Sequence, residues 1–215
     1  MTTNAAATNS PPPLRSRLAW LTAARLFLLV GLFLATTFFY LKGPFARYTH
    51  SPRVVTITLV VAFGLAGIYA WLLRRGKALE RVGLVQLALD QCVWTSFVYV
   101  SGGPTSGAVS FYALSALLGA AVLGARGART VALVGIVAYA ALCAGFLLKW
   151  IHPPADQPYS SYVTAATDLA FPVVLNVAGI ILVAALAGLL AERLQRAGGE
   201  LAKAEERVLA AERLA

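Results

Sequence analysis

Charge is scarce in this chain. Only 13% of its 215 residues are Asp, Glu, Lys or Arg, while 59% are apolar; an ordinary globular protein carries about 25% charged residues. A mean hydropathy of +0.74 means more apolar surface than one globule of this length can hide, which excludes a water-soluble domain and makes a bilayer the expected solvent. Cysteine and histidine are rarer still, two of each. Cys92 and Cys143 fall singly in apolar runs with no Cys-x-x-Cys spacing, which argues against a disulfide or metal pair. His50 and His152 have no second ligand at helical spacing, so no metal site is expected. Walker, Gly-x-Ser-x-Gly and His-Glu-x-x-His motifs are absent, and no catalytic residue is assigned. The first residues lack the basic start, short apolar core and small-residue cleavage site of a signal peptide, so the first apolar run is expected to be retained.

What the chain has is long apolar runs. A helix needs about 20 residues to cross a hydrocarbon core of about 30 Å, and six runs are assigned as spans: Leu18–Leu41, Val54–Leu73, Val82–Val100, Ala108–Ala125, Val131–Leu148 and Leu169–Ala191. They are continuously apolar and rich in Leu and Ala, which favours helices over the alternating strands of a barrel. The expected fold is an all-α membrane protein. A disordered cytoplasmic tail (1–17), whose first thirteen residues are Thr, Asn, Ala, Ser and Pro after the initial Met, precedes a six-helix transmembrane bundle (18–191), and a cytoplasmic coiled-coil helix (192–215) follows it.

The net charge of +9 would raise the question of nucleic acid in a soluble chain. In a membrane protein it reports orientation, because Lys and Arg concentrate in cytoplasmic loops. With the N-terminus inside, the inner set is Arg15, Arg17, Arg74, Arg75, Lys77, Arg81, Arg126, Arg129, Arg193, Arg196, Lys203, Arg207 and Arg213, against Lys42, Arg47, Arg53 and Lys149 outside. Thirteen against four places both termini in the cytoplasm, and no nucleic-acid partner is expected. The outer loops are too short to fold as a ligand-binding domain, so any stimulus is met in or near the membrane.

Beyond the sixth run, apolar residues recur at Leu190, Leu194, Ala197, Leu201, Ala204, Val208, Ala211 and Ala215, a heptad seam led by Leu190, Leu194, Leu201 and Val208. An amphipathic helix lying on the membrane surface is the alternative. Gly198-Gly199 costs such a helix about 2 kcal/mol of propensity and is the weak point where motion could be absorbed. A helix running to the last residue without a cap is expected to lead on to an output domain.

Ionisable residues inside spans are costly and tend to have partners or jobs. Asp90 lies about 12 Å into the third span at 1.5 Å per residue, with Gln86 one turn earlier on the same face. Arg25 reaches a similar depth in the first span, so an Arg25–Asp90 pair is geometrically allowed. The alternatives are an Arg25 that snorkels to the headgroups and an Asp90 that is protonated or faces water. Asp168 opens the sixth span, and Pro172 and Asn176 follow at four-residue intervals. Proline can kink the span and Asn176 can bond a neighbouring helix, or the set can serve ordinary packing. Arg25, Gln86, Asp90, Asp168 and Asn176 are the candidate sensing residues; Pro172, Gly198 and Gly199 are the candidates for signal transmission.

Arg25, Gln86-x-x-x-Asp90, the turn Ser101-Gly102-Gly103-Pro104-x-Ser106, Tyr112 and Ala125-Arg-Gly-Ala-Arg129 together resemble the membrane sensor region of PilS-like sensor histidine kinases, over about Leu18 to Ala215. The resemblance implies six membrane helices in a bacterial inner membrane, almost no periplasmic domain, and a cytoplasmic helix leading through a PAS domain to a dimeric kinase core. It implies as partners a second copy of the chain, a membrane-embedded protein (pilin, in pilus systems) or small hydrophobic ligand, and a cognate response regulator. ATP and Mg are implied for the kinase core alone. No histidine follows the sixth run, so these residues hold neither a phosphoacceptor nor an ATP-binding glycine box, and no cofactor is expected in them. The expected role is signal input to a two-component sensor kinase. The alternatives are the sensor of a cyclic-dinucleotide enzyme, or a small transporter or channel using Asp90 and Arg25.

Overall fold

The computed structural model describes residues 14–41, 48–76, 78–157, 162 and 165–214. All regular elements among them are helical: α1 (Leu14–Leu41), α2 (His50–Arg75), α3 (Leu79–Val100), two single 3-10 turns (Gly103–Thr105 and Gly107–Val109), α4 (Ser110–Leu147) and α5 (Ala166–Leu214). Four stretches are long and apolar enough to cross a membrane: Leu14–Phe39, His50–Arg75, Gly107–Leu147 and Ala166–Leu201. Most of the tail expected at 1–17 lies outside the described residues, but its last four are corrected to helix, because α1 begins at Leu14.

The fourth and fifth expected spans both fall within α4, but for Ala108 and Val109 in the preceding 3-10 turn and Leu148 just past the helix end. The loop expected between them shrinks to a break at one residue, Gly124, with φ 72° and ψ −163°, a conformation that a Cβ would make costly. Arg126 and Arg129, expected in that loop, are helical. The chain folds back on itself there. In a straight helix residues 112 and 139 would stand about 40 Å apart, yet the Tyr112 and Tyr139 rings lie 6.1 Å apart, centroid to centroid. The two arms, 110–123 and 125–147, touch backbone to backbone: a Cβ on Gly119 would lie 2.9 Å from the Gly127 carbonyl oxygen, and one on Gly127 would collide with the Gly119 carbonyl.

The α4 hairpin is the centre of the bundle, with α3 and α5 packed on it, α1 and α2 packed on each other and on α3, and α1 also touching α4. Leu29, Leu59, Val98, Tyr112, Tyr139 and Phe146 fill the larger core, while Leu18, Leu21, Leu73, Leu87, Val122 and Val131 fill a smaller one near the Gly124 turn. Bulky apolar side chains such as Phe27, Val60, Leu133 and Phe171 point outward, each more than 60% exposed. In water such a surface would drive aggregation; against lipid it costs nothing.

The last helix, α5, is unbroken through Pro172 and through Gly198-Gly199. Pro172 stands early in the helix, so only one backbone bond near its start is lost. The stripe of α5 that is buried or half-buried, Leu169, Val173, Asn176, Ile180, Ala184 and Ala187, recurs at helical spacing and lies against the rest of the bundle.

Candidate functional site

Three helices bring polar side chains into the interior near the smaller core. Arg25 and Thr22 come from α1, Tyr69 from α2, and Gln86, Asp90 and Gln91 from α3, every one of them buried. Thr22 is one turn before Arg25, and Gln86 one turn before Asp90, so each helix presents a pair on one face. The Arg25 Nη2 lies 2.7 Å from Asp90 Oδ1, and the guanidinium carbon stands 5.2 Å from the centre of the Tyr69 ring. Gln86 Nε2 donates to Thr22 Oγ1 at 3.4 Å, and Thr22 Oγ1 donates to the Leu18 carbonyl at 2.9 Å. Of the two geometries open to the sequence, the structure therefore has the pair.

The cluster is electrically closed but not fully bonded. Burying a single charge in so apolar a setting costs several kcal/mol, and pairing the two offsets much of that cost. Arg25 Nη1, Gln86 Oε1 and Gln91 Oε1 have no hydrogen-bond partner despite their burial. A polar interior with spare donors and acceptors is one that a changed helix arrangement can re-pair.

A second network lies at the opposite end of the bundle, on the Ser101–Ser106 turn. The two serine hydroxyls share a hydrogen bond of 2.5 Å, and Ser106 Oγ accepts from the Ala108 amide at 3.0 Å. The carbonyl of Pro104 accepts from the Tyr139 hydroxyl at 2.7 Å and from Asn176 Nδ2 at 3.3 Å, and Asn176 Nδ2 also reaches the Tyr139 oxygen at 2.9 Å. One amide thus ties α5 to both the turn and the second arm of α4. Thr95 and Tyr112 share a bond of 2.7 Å, and Trp94 Nε1 donates to Ser115 Oγ at 2.9 Å, pinning α3 to the first arm.

A third contact closes the loop that feeds α5. Thr49, at the N-cap of α2, makes no side-chain cap bond. Asp156 takes that role from far along the chain, accepting from the His50 amide, the Ser51 amide and the Ser51 hydroxyl at 2.7 Å each. Gln157 Nε2 adds bonds to Ser51 Oγ at 3.2 Å and to the Val100 carbonyl at 3.3 Å. A carboxylate at a helix N-terminus satisfies orphan amides and meets the positive end of the macrodipole. Partial burial pushes the Asp156 carboxyl up, but the Ser51 and His50 bonds outweigh it and hold it below its ordinary value.

The candidates from the sequence therefore separate. Arg25, Gln86 and Asp90 meet in one cluster, whereas Asn176 belongs to the turn network. Asp168 is exposed in the first turn of α5, accepting from Thr167 Oγ1 at 3.1 Å, and Pro172 is half-buried nearby. Gly198 and Gly199 are helical and exposed. Leu190, Leu194 and Leu201 are exposed by 56%, 65% and 53%, so nothing among the described residues covers these three leucines; the side chain of Val208 lies outside the described ones. Tyr69, Tyr139, Thr22 and Asp156 are additions. A tyrosine hydroxyl in the middle of an apolar run is a signal the sequence carries, but the partner of Asp156 is set by tertiary folding alone.

A family model described as the PilS-like transmembrane domain matches residues 9–201. Neither a curated protein nor a solved structure matches the chain.

Proposed function

The chain belongs to the PilS-like transmembrane domain family, and we propose on that premise that it is the signal-input and dimerisation module of a two-component sensor histidine kinase in a bacterial inner membrane. In this reading α1, α2, α3, the two arms of α4 and α5 make six crossings. The reversal at Gly124 supports counting the arms of α4 separately, since it returns the chain to the side on which the hairpin began. Both termini are cytoplasmic, where thirteen of the basic residues gather. The kinase core, with its ATP and Mg, follows the module and hands its phosphoryl group to a response regulator. A membrane-embedded protein or small hydrophobic ligand supplies the stimulus.

The observation that carries the proposal is α5. It is one continuous helix whose outer part is bonded through Asn176 to the Ser101–Ser106 turn and whose other end bears the exposed leucines of the seam. A shift at the turn displaces the whole rod, and a rod paired with a second copy can bias a two-state output. The seam forms a parallel homodimer.

Two measurements test this. Reporters fused after Arg75, Arg126 and Ala215 should read cytoplasm and one at His152 the outside; a C-terminal fusion on the outer face would end the proposal. In the full-length protein, Asn176→Leu should shift autophosphorylation without changing that topology, and unaltered kinase output would remove α5 as the conduit.

A further inference from the structure

A surface groove of about 270 Å³ runs between the start of α4 and α5, lined among others by Gly107, Ser110, Ala113, Asn176, Gly179 and Val183. It is open: a Cβ on Gly107 or on Gly179 would meet nothing within 4 Å. Its position on α5 is informative. At 100° per residue, Gly179, Val183, Leu190, Leu194 and Leu201 fall within a sector of roughly 60°. The face that lines the groove is therefore the face that carries the exposed seam leucines further along the same unbroken helix. It stands about a quarter-turn away from the stripe through Ile180, Ala184 and Ala187 that packs on the rest of the bundle.

Area indicates what covers this face. Half of the eight seam positions from Leu190 to Ala215 are alanine. Three leucines and a valine on each of two chains, at roughly 100 Å² each, supply about 800 Å², whereas a stable specific interface buries roughly 1,200–2,000 Å². Within these residues the coil alone falls short of that area. The groove offers a continuation on the same face, with small residues that let a second backbone approach closely.

We propose that this groove is the membrane half of the dimer interface, occupied by α5 of a second copy of the chain, so that one uninterrupted face of α5 pairs from Asn176 to the coil. This rests on the homodimer reading above and extends it into the bilayer. It also puts the partner helix beside Asn176, the residue that bonds to Pro104 and Tyr139, so that the packing of the dimer and the state of the Ser101–Ser106 turn are coupled through one side chain.

Cysteine crosslinking of the full chain in native membranes, with Cys92 and Cys143 replaced by alanine, tests the inference. Single cysteines at Gly179 and Val183 should form homodimer crosslinks at least five-fold faster than cysteines at Val174 and Ile181, exposed positions at similar depth on the opposite side of α5. Filling the groove with Gly179→Leu should lower crosslinking at Val183 while leaving that at Leu201 unchanged. Crosslinks at Leu194 and Leu201 without any at Gly179 or Val183 would overturn the groove and leave the coil dimer standing. None at any of the four would sink the dimer itself. Capture of a different protein at Val183 in place of a second copy would also overturn the proposal.

Discussion

Arg25 of α1 and Asp90 of α3 face each other across 2.7 Å with their side chains 6% and 10% exposed, in a protein whose outer surface is built of leucine, valine and phenylalanine. Neither charge is tolerable there alone. Removing one partner strands the other, at a cost of about 3–5 kcal/mol, whereas removing both leaves a cavity but no unpaired charge. Arg25→Leu and Asp90→Asn should each destabilise the detergent-solubilised protein by about 3 kcal/mol or more. The double variant should be more stable than the sum of the two predicts by about 1 kcal/mol or more. Thermal unfolding of the four proteins is the measurement, and strict additivity would mean that the contact carries no energy.

The hairpin of α4 rests on backbone contact at Gly119 and Gly127, where any side chain must push the arms apart. Gly127→Ala should cost about 3 kcal/mol or prevent folding, since it is overpacking against a carbonyl group and not against a side chain that can move. Gly64→Ala is the matched control. Nothing lies within 4 Å of its Cβ position, and the change should be neutral or stabilising by up to about 1 kcal/mol. Equal melting temperatures for the two variants would contradict the close approach.

The membrane class, the helical character of the runs and the depth match of Arg25 and Asp90 were legible because burial in lipid and helical rise leave direct marks on sequence, while the third expected span, Val82–Val100 in α3, is not among the described stretches long and apolar enough to cross. The boundary between the fourth and fifth runs was less legible. A basic Arg126–Arg129 stretch reads as a loop, but a single glycine with positive φ completes the reversal and leaves both arginines on a helix. Pairings that depend on the fold were out of reach. Asn176 was singled out for its amide within a span, yet its partners, Tyr139 and the Pro104 carbonyl, are fixed only when α5 packs on α4. The exposed Leu190, Leu194 and Leu201 keep their heptad spacing on the unbroken α5.

At the Ser101–Ser106 turn the Tyr139 hydroxyl donates to Pro104 and lies 2.9 Å from the Asn176 amide. Tyr139→Phe removes that hydroxyl but keeps the ring that packs beside Tyr112. The loss should be about 1 kcal/mol, the scale of a hydrogen bond inside a membrane protein. Added to Asn176→Leu it should cost less than it does alone, because both changes dismantle one network. Chemical denaturation in mixed micelles reads the cycle, and a Tyr139→Phe cost independent of residue 176 would separate the two side chains.

Acid should open the loop that feeds α5 by one identifiable route. Asp156 is held below its ordinary carboxylate value by the Ser51 and His50 bonds, so its capping contribution is fully present above the unfolded-state value of about 3.9 and is lost as pH falls through the lower, folded-state value. Replacing it with alanine removes an N-cap, a loss of about 0.5–2 kcal/mol. The difference in melting temperature between wild type and Asp156→Ala should therefore be flat from about pH 7 to 5 and shrink below about pH 4. His50 offers Asp156 only its backbone amide, so His50→Gln should leave the acid limb in place. A difference that stays flat below about pH 4, or an acid limb that His50→Gln abolishes, would take the loop's acid response away from the carboxylate.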